Sequence, residues 1–236
     1  MSKNKEISNQ KIEARIEGVE HAFTRAERFI ETYRKQIVRT VGFILGVAVL
    51  YIAFQRYYLE KWSAEAAEQM FPAEQAFADE NWTLALDGDG NNPGFIEIID
   101  NFSYTFTASA KLAKYYAGIC FLRLGNYEDA IAYLSKFRSK DAILSSTALG
   151  SIGDAFAETG DVDQAVVFYK KAANRRKNDF TTPLYLVRAG ILLEQQKKFR
   201  EAAELYNLVR KDYPNSTEGR NIVKYLTRVE MEQQQQ

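Results

Sequence analysis

Asp87-Gly88-Asp89-Gly90-Asn91-Asn92 sets acidic and amide oxygens at alternating positions, as at the start of a helix-loop-helix calcium loop. The rest of such a loop is missing. Asn92 stands where the sharp turn needs glycine, and Ile98 stands where a bidentate glutamate would complete the coordination sphere. The stretch is therefore expected to be a tight turn, built from the Gly, Asn, Asp and Pro that turns favour. No metal and no other cofactor is expected. Nucleophilic catalysis has no better footing, because His21 is the only histidine and Cys120 the only cysteine. Neither a GxxxxGK[ST] nor a GxSxG motif occurs. With no histidine beyond position 21, a Ser-His or Cys-His pair is excluded from all that follows. A lone cysteine permits no internal disulfide, and Cys120, within an apolar run, is expected to be a small core residue. The carboxylates are spread over solvated helix faces, so the chain is read as a non-enzyme.

Composition narrows the remaining classes. The chain has 236 residues, 46% hydrophobic and 26% charged, enough to bury a core in one or two domains. Its 31 basic and 31 acidic residues divide unevenly: residues 1–58 hold ten and six, leaving 21 and 25 for the remainder. A mildly acidic body has no electrostatic footprint for nucleic acid. The cluster Lys170, Lys171, Arg175, Arg176 and Lys177 falls near a predicted helix end, where cations complement the dipole.

From Thr40 to Gln55 no residue is charged. At about 1.5 Å per residue a helix over that stretch covers roughly 24 Å, short of a hydrocarbon core near 30 Å. Arg39 and Arg56 at its ends can snorkel, which extends the usable span to residues 37–58. Tyr33, Tyr57, Tyr58 and Trp62 flank it as interface aromatics do, and membrane lipid is its expected partner. Arg25, Arg28, Arg34, Lys35 and Arg39 precede the span, against Arg56 and Lys61 after it, so the N-terminus is expected in the cytoplasm. About 36 residues before the span are too many for a cleavable leader, so the anchor is expected to remain. Residues 59–236 then work in the periplasm or an equivalent exported space. Within the cytoplasmic segment 1–36, Ile12, Ile16, Val19, Phe23, Ala26 and Ile30 form a heptad seam that continues through Tyr33 and Ile37. Two readings stay open: a coiled coil with a partner or a second copy, making a dimer, or an amphipathic helix lying on the membrane surface.

After the span comes internal repetition. KLAKYYAGICFLRLGNYEDAIAYLSKF from Lys111, STALGSIGDAFAETGDVDQAVVFYKKA from Ser146 and PLYLVRAGILLEQQKKFREAAELYNLV from Pro183 align with one another. Small residues recur at Gly118, Gly153 and Gly190 and at Ala130, Ala165 and Ala202, where bulk would push packed helices apart. Phe121, Phe156 and Leu193 fill one helix-helix gap, and Gly125 and Gly160 supply left-handed caps between the two helices of a unit. Lys197 takes that place in the third unit. This pattern resembles the tetratricopeptide repeat family, antiparallel helix pairs of about 34 residues stacked as a solenoid. The expected fold is all-α: one transmembrane helix (37–58), an irregular leading helix pair (59–110), three repeats (111–216), and a capping helix with a tail (217–236). Asn215 and Glu218 are expected to cap that last helix.

The resemblance implies a concave face lined by the first helix of each pair. Its members here are Leu112, Tyr115, Ile119 and Leu122, then Asp154 and Glu158, then Leu184, Val187, Ile191 and Glu194. Apolar positions suit extended or helical polypeptide, although periodicity alone also allows several of them to be core between repeats. Where some family members clamp a terminal carboxylate with Lys and Asn, this chain has Tyr115, Ile119, Gly150 and Asp154, so that activity does not carry over. In layout, an N-in anchor followed by an exported repeat domain resembles the ancillary subunit family of the bacterial Sec translocon. That resemblance implies Sec translocon subunits, a periplasmic folding factor and exported polypeptides as partners, and a chaperone-like or docking role at the inner membrane. The alternative is a scaffold of another cell-envelope assembly or secretion machine.

Overall fold

The computed structural model describes residues 32–234, with Phe102 described by its backbone alone. The seam from Ile12 to Ile30, and His21 with it, lies outside the described residues. Two compact units divide the chain, Met1–Tyr58 and Leu59–Gln236.

In the first unit, helix α1 covers residues 32–54 and passes into a π-helical turn, Gln55–Leu59. Its apolar side chains enter no core: Phe43 is 74% exposed and Leu50 71%. Among the described residues this is the one helix long and apolar enough to cross a bilayer, and none of its most apolar stretch is buried.

The second unit is helical throughout, with no β-strand among the described residues. It begins with α2 (Glu60–Ala78), α3 (Trp82–Asp87) and α4 (Phe95–Asp100). Three hairpins follow: α5 (Ala108–Arg123) with α6 (Tyr127–Lys136), α7 (Ala142–Glu158) with α8 (Val162–Arg175), and α9 (Thr181–Gln195) with α10 (Phe199–Asp212). α11 (Thr217–Gln234) closes the stack.

One cap geometry ends the first helix of every hairpin. Asn126 N–H donates to Phe121 O at 2.9 Å while Gly125 N–H donates to Leu122 O at 3.2 Å. The same two bonds recur as Asp161 to Phe156 with Gly160 to Ala157, and as Lys198 to Leu193 with Lys197 to Glu194. Each is a Schellman closure, which needs a left-handed residue at its centre. Gly125 and Gly160 take φ of 80° and 82°, and Lys197 takes 58° although it carries a Cβ. The departure from glycine in the third unit thus leaves the turn intact at a local cost of about 1 kcal/mol. Lys197→Gly is expected to stabilise the domain by about that amount, read as a higher urea midpoint at unchanged slope.

A fourth closure sits at the end of α2. Asn81 N–H donates to Ala76 O, Glu80 N–H donates to Phe77 O, and Glu80 has φ 59°. Counted from that residue, Ala73, Trp82 and Ala85 occupy the places of Gly118, Tyr127 and Ala130 in the next hairpin. Ala73 and Ala85 are both buried. The leading segment is therefore a hairpin in repeat register whose second helix is cut short. The interruption is the 87–94 loop, where Gly88 and Gly90 have positive φ and Asp89 closes an Asx turn, accepting from Asn91 N at 2.9 Å and Asn92 N at 2.7 Å. Those bonds, the Asn92 side chain first, hold the Asp89 carboxyl below its ordinary range.

Ser216 caps α11 in place of Asn215: its hydroxyl accepts from Gly219 N at 2.9 Å and donates to Tyr213 O. Packing is continuous but partitioned. One core joins α2 to α5, a small one (Leu134, Phe137, Ala148, Ile152) joins α6 to α7, and the largest runs from α8 to α11. Cys120 is fully buried, and its thiol is pushed up to about 12 by burial.

Candidate polypeptide-binding face

Close approach within each hairpin is set by a glycine on the first helix. A Cβ on Gly118 would lie 2.5 Å from Leu134, on Gly153 2.7 Å from the Tyr169 ring, and on Gly190 2.3 Å from the Tyr206 ring. Each partner lies sixteen residues on from its glycine. First helices also meet one another: α5 touches α7, α7 touches α9 and α9 touches α11, which makes them an inner row.

The expected face residues divide by environment along that row. Tyr115 and Ile119 are half-buried against the small α6–α7 core; the Tyr115 ring packs 5.3 Å from Phe137, and its hydroxyl donates to Thr147 Oγ1 at 3.3 Å. Leu112 is half-buried on the leading core and borders a cleft of about 480 Å³ with Lys111, Arg138 and Leu144. Leu122 is half-exposed near the end of α5, and Glu158 is exposed at the end of α7. On α9, Leu184 and Ile191 are half-buried, while Val187 is buried in the core.

Asp154 and Glu194 are each engaged by side chains of neighbouring helices. Asp154 Oδ1 accepts from the Tyr169 hydroxyl of α8 and from Arg188 Nη1 of α9, each at 2.6 Å. Glu194 accepts from the Tyr206 hydroxyl of α10 and takes a two-pronged bond from Arg228 of α11, Nε to Oε2 at 2.6 Å and Nη2 to Oε1 at 2.9 Å. In both, a first-helix carboxylate ties its own second helix and the next first helix together, the arginine lying 34 residues on. Burial, and then the bonds to these carboxylates, raises the Tyr169 and Tyr206 phenols well above the ordinary tyrosine range. Burial works against the charge on Arg188, but Asp154 outweighs it and holds the guanidinium above its usual value.

These carboxylates therefore fix the stacking angle of successive hairpins. Glu194→Gln keeps the shape but loses the charge that Arg228 and Tyr206 both engage. It is expected to cost about 2 kcal/mol, seen as a lower thermal midpoint. Arg188, Arg228, Tyr169 and Tyr206 escape a reading for ligand chemistry because each looks like a solvated or core side chain in isolation. The available signal is pairwise: Tyr169 and Tyr206 stand at equivalent second-helix places, each opposite a repeat glycine.

Three tetratricopeptide-repeat matches fall on these hairpins. One family model of the tetratricopeptide repeat matches residues 112–142 and 185–216, and a second matches 146–179. Comparison with curated proteins gives no match. The repeats point to protein partners in general, and the all-helical fold with its glycine-seated hairpins agrees with them. Among the described residues no three His, Cys, Asp or Glu side chains come together as metal ligands.

Proposed function

We propose that the chain is a membrane-anchored, non-enzymatic adaptor whose repeat domain binds polypeptide along its inner row in an exported compartment, at the Sec translocon. The observation that carries the reading is the pairing of a wholly unburied apolar helix with a domain built for protein contact. An apolar run of that size left in water would forgo about 25 cal/mol for each Å² of apolar surface, and lipid removes that cost. The excess of basic residues before the span supports an orientation with the N-terminus in the cytoplasm and the repeats outside it. The binding surface is the half-buried apolar set Leu112, Tyr115, Ile119, Leu122, Leu184 and Ile191. Glu158 borders it, and Asp154, Val187 and Glu194 hold its shape from within. A bound segment is extended or helical, with apolar side chains placed against these positions.

Photo-crosslinkers replacing Tyr115 and Ile191 in intact membranes test this reading. They are expected to capture translocon subunits or chains in transit. Capture of a different envelope assembly would reassign the adaptor to that machine, and capture of no polypeptide at either position would end the proposal.

A further inference from the structure

The two edges of the repeat domain differ in chemistry. Antiparallel pairing puts the turns 124–126, 159–161 and 196–198 on one edge, and the linkers 137–141, 176–180 and 213–216 on the other. The first two turns are acidic, with Glu128, Asp129, Glu158, Asp161 and Asp163 against Arg123, while the third carries Lys197, Lys198 and Arg200, of which Lys198 pairs with Asp163 and Arg200 with Glu204. The linker edge is basic. Lys136 at the end of α6 with Arg138 and Lys140 in the first linker outnumber Asp141 there, and Arg175 at the end of α8 with Arg176 and Lys177 in the second linker outnumber Asp179. Dipole complementation explains a cation in the last turn of α8, but that helix ends at Arg175, so Arg176 and Lys177 project from the linker itself. None of these six cations has a carboxylate partner among the described residues. Arg138 and Arg175 share one cleft of about 360 Å³ floored by Leu134, Ile152 and Phe168.

Large apolar side chains stand in water on the same edge. Phe106, Ile143 and Phe180 are 59%, 48% and 63% exposed, and they recur at intervals of 37 residues. Each is held out by an ordered cap. Beside Phe106, Thr107 Oγ1 donates to Tyr104 O and accepts from Ala110 N. Asp141 accepts from Leu144 N at 2.7 Å beside Ile143. Around Phe180 the Asn178 side chain accepts from the Phe180 and Thr181 N–H groups and donates to Arg176 O, while Thr182 Oγ1 donates to Ala173 O. Such anchoring fixes the backbone that carries these three side chains where they stand exposed.

We propose that this linker edge docks on an anionic phospholipid surface, Phe106, Ile143 and Phe180 entering the headgroup layer while the linker cations meet lipid phosphates. Arg138 Nη1 donates to Ser135 O and Phe137 O and Lys136 lies over the Tyr133 ring, yet among the described residues no carboxylate neutralises either. Apolar tips alternating with such un-neutralised cations along an open edge suit a soft layered surface, which offers depth to the tips and charge to the bases at once. An acidic protein would answer the cations but leave the three separated tips without a pocket. The proposal rests on the membrane reading of residues 37–58 only for delivery of the domain to a bilayer.

The full chain, labelled at Thr105→Cys with an environment-sensitive fluorophore, is reconstituted in nanodiscs of phosphatidylcholine alone or with about 30% phosphatidylglycerol. Native Cys120 is buried and stays unlabelled. Quenching by spin-labelled lipid is expected to be about threefold stronger in the anionic discs, and to be lost in Arg175→Glu/Arg176→Glu/Lys177→Glu. A label at Gln164→Cys on the turn edge should stay in water in both. Equal quenching in the two lipids, equal quenching at positions 105 and 164, or a response that survives the triple change would overturn the proposal. A probe at Val47→Cys reports the anchor separately: no quenching there with quenching at 105 would refute the span and uphold the edge.

Discussion

Raising the pH from 9 to 11 is expected to remove on the order of 5 kcal/mol from the repeat domain, comparable with the whole stability of many domains. The cause is four acids that the fold keeps protonated. Burial raises the phenols of Tyr169, Tyr185 and Tyr206, each 5% exposed or less, with Asp154 or Glu194 adding to the shift. Burial likewise pushes the Cys120 thiol up to about 12. In the unfolded chain these groups ionise near their ordinary values, about 9 for the thiol and about 10 for the phenols. Because the folded values lie above the unfolded ones, the stabilisation is complete below about pH 9. It drains away as pH rises, since only the unfolded chain then gives up its protons. Thermal midpoints of the full chain in mild detergent should be level from pH 7 to 9 and fall steeply from there. Tyr206→Phe should start less stable at pH 8 and decline less steeply, by about 1.4 kcal/mol per pH unit. A level midpoint up to pH 11 would show that these groups titrate in the fold.

Gly150→Val is expected to destabilise the domain by at least about 3 kcal/mol, enough to leave much of it unfolded at 37 °C. A Cβ at position 150 would lie 2.1 Å from two atoms of the Tyr185 ring. Retreat is blocked, because Tyr185 stacks on Tyr169 at 6.0 Å and Tyr169 rests on Gly153 of the same helix. Arg188 lies over the Tyr185 ring as well, 5.7 Å from its centre. The two glycines of α7 therefore seat one tyrosine from its own hairpin and one from the next. A valine would disturb both and, through Arg188, the Asp154 clamp. The double variant Gly150→Val/Tyr185→Ala should be more stable than the sum of the two single losses predicts, since the clash is then gone. Strict additivity would mean that the ring does not occupy this seat. Gly42 offers the contrast: nothing lies within 4 Å of a Cβ there, and Gly42→Ala should leave the repeat domain unchanged.

Much of the fold is legible in the chain because its instructions are local and repeated. Gly125 and Gly160 announce left-handed caps, Ala130, Ala165 and Ala202 announce close helix contacts, and helix boundaries follow from both. The hairpin at α2–α3 escapes because the 87–94 loop stretches its spacing to the next repeat from 35–37 residues to 45, and because Glu80 occupies a place usually given to glycine. Ser216 was equally available as a cap, but Asn215 competes for that role in sequence and only backbone direction decides between them. Along the inner row, periodicity identifies the helix face but not what covers it. Val187 and Ile191 are one turn apart on α9, yet the first is buried and the second is not, because neighbouring helices cover α9 unevenly along its length. Asp154 and Glu194 read in sequence as carboxylates of the inner row, but their partners Arg188 and Arg228 stand 34 residues further on, a pairing that only the stacking of the helices reveals.

The location of the repeats relative to a bilayer bears most directly on the proposed role, and one labelling experiment decides it. A membrane-impermeant maleimide is applied to spheroplasts expressing Gln164→Cys, an exposed position on the turn edge of α8 and away from the linker edge, with Cys120 buried as an internal control. An exported, anchored repeat domain predicts rapid labelling of position 164 in intact spheroplasts, with the protein staying in the membrane pellet after alkaline carbonate washing. Labelling only after the inner membrane is breached, or release of the intact chain into the carbonate wash, would contradict it.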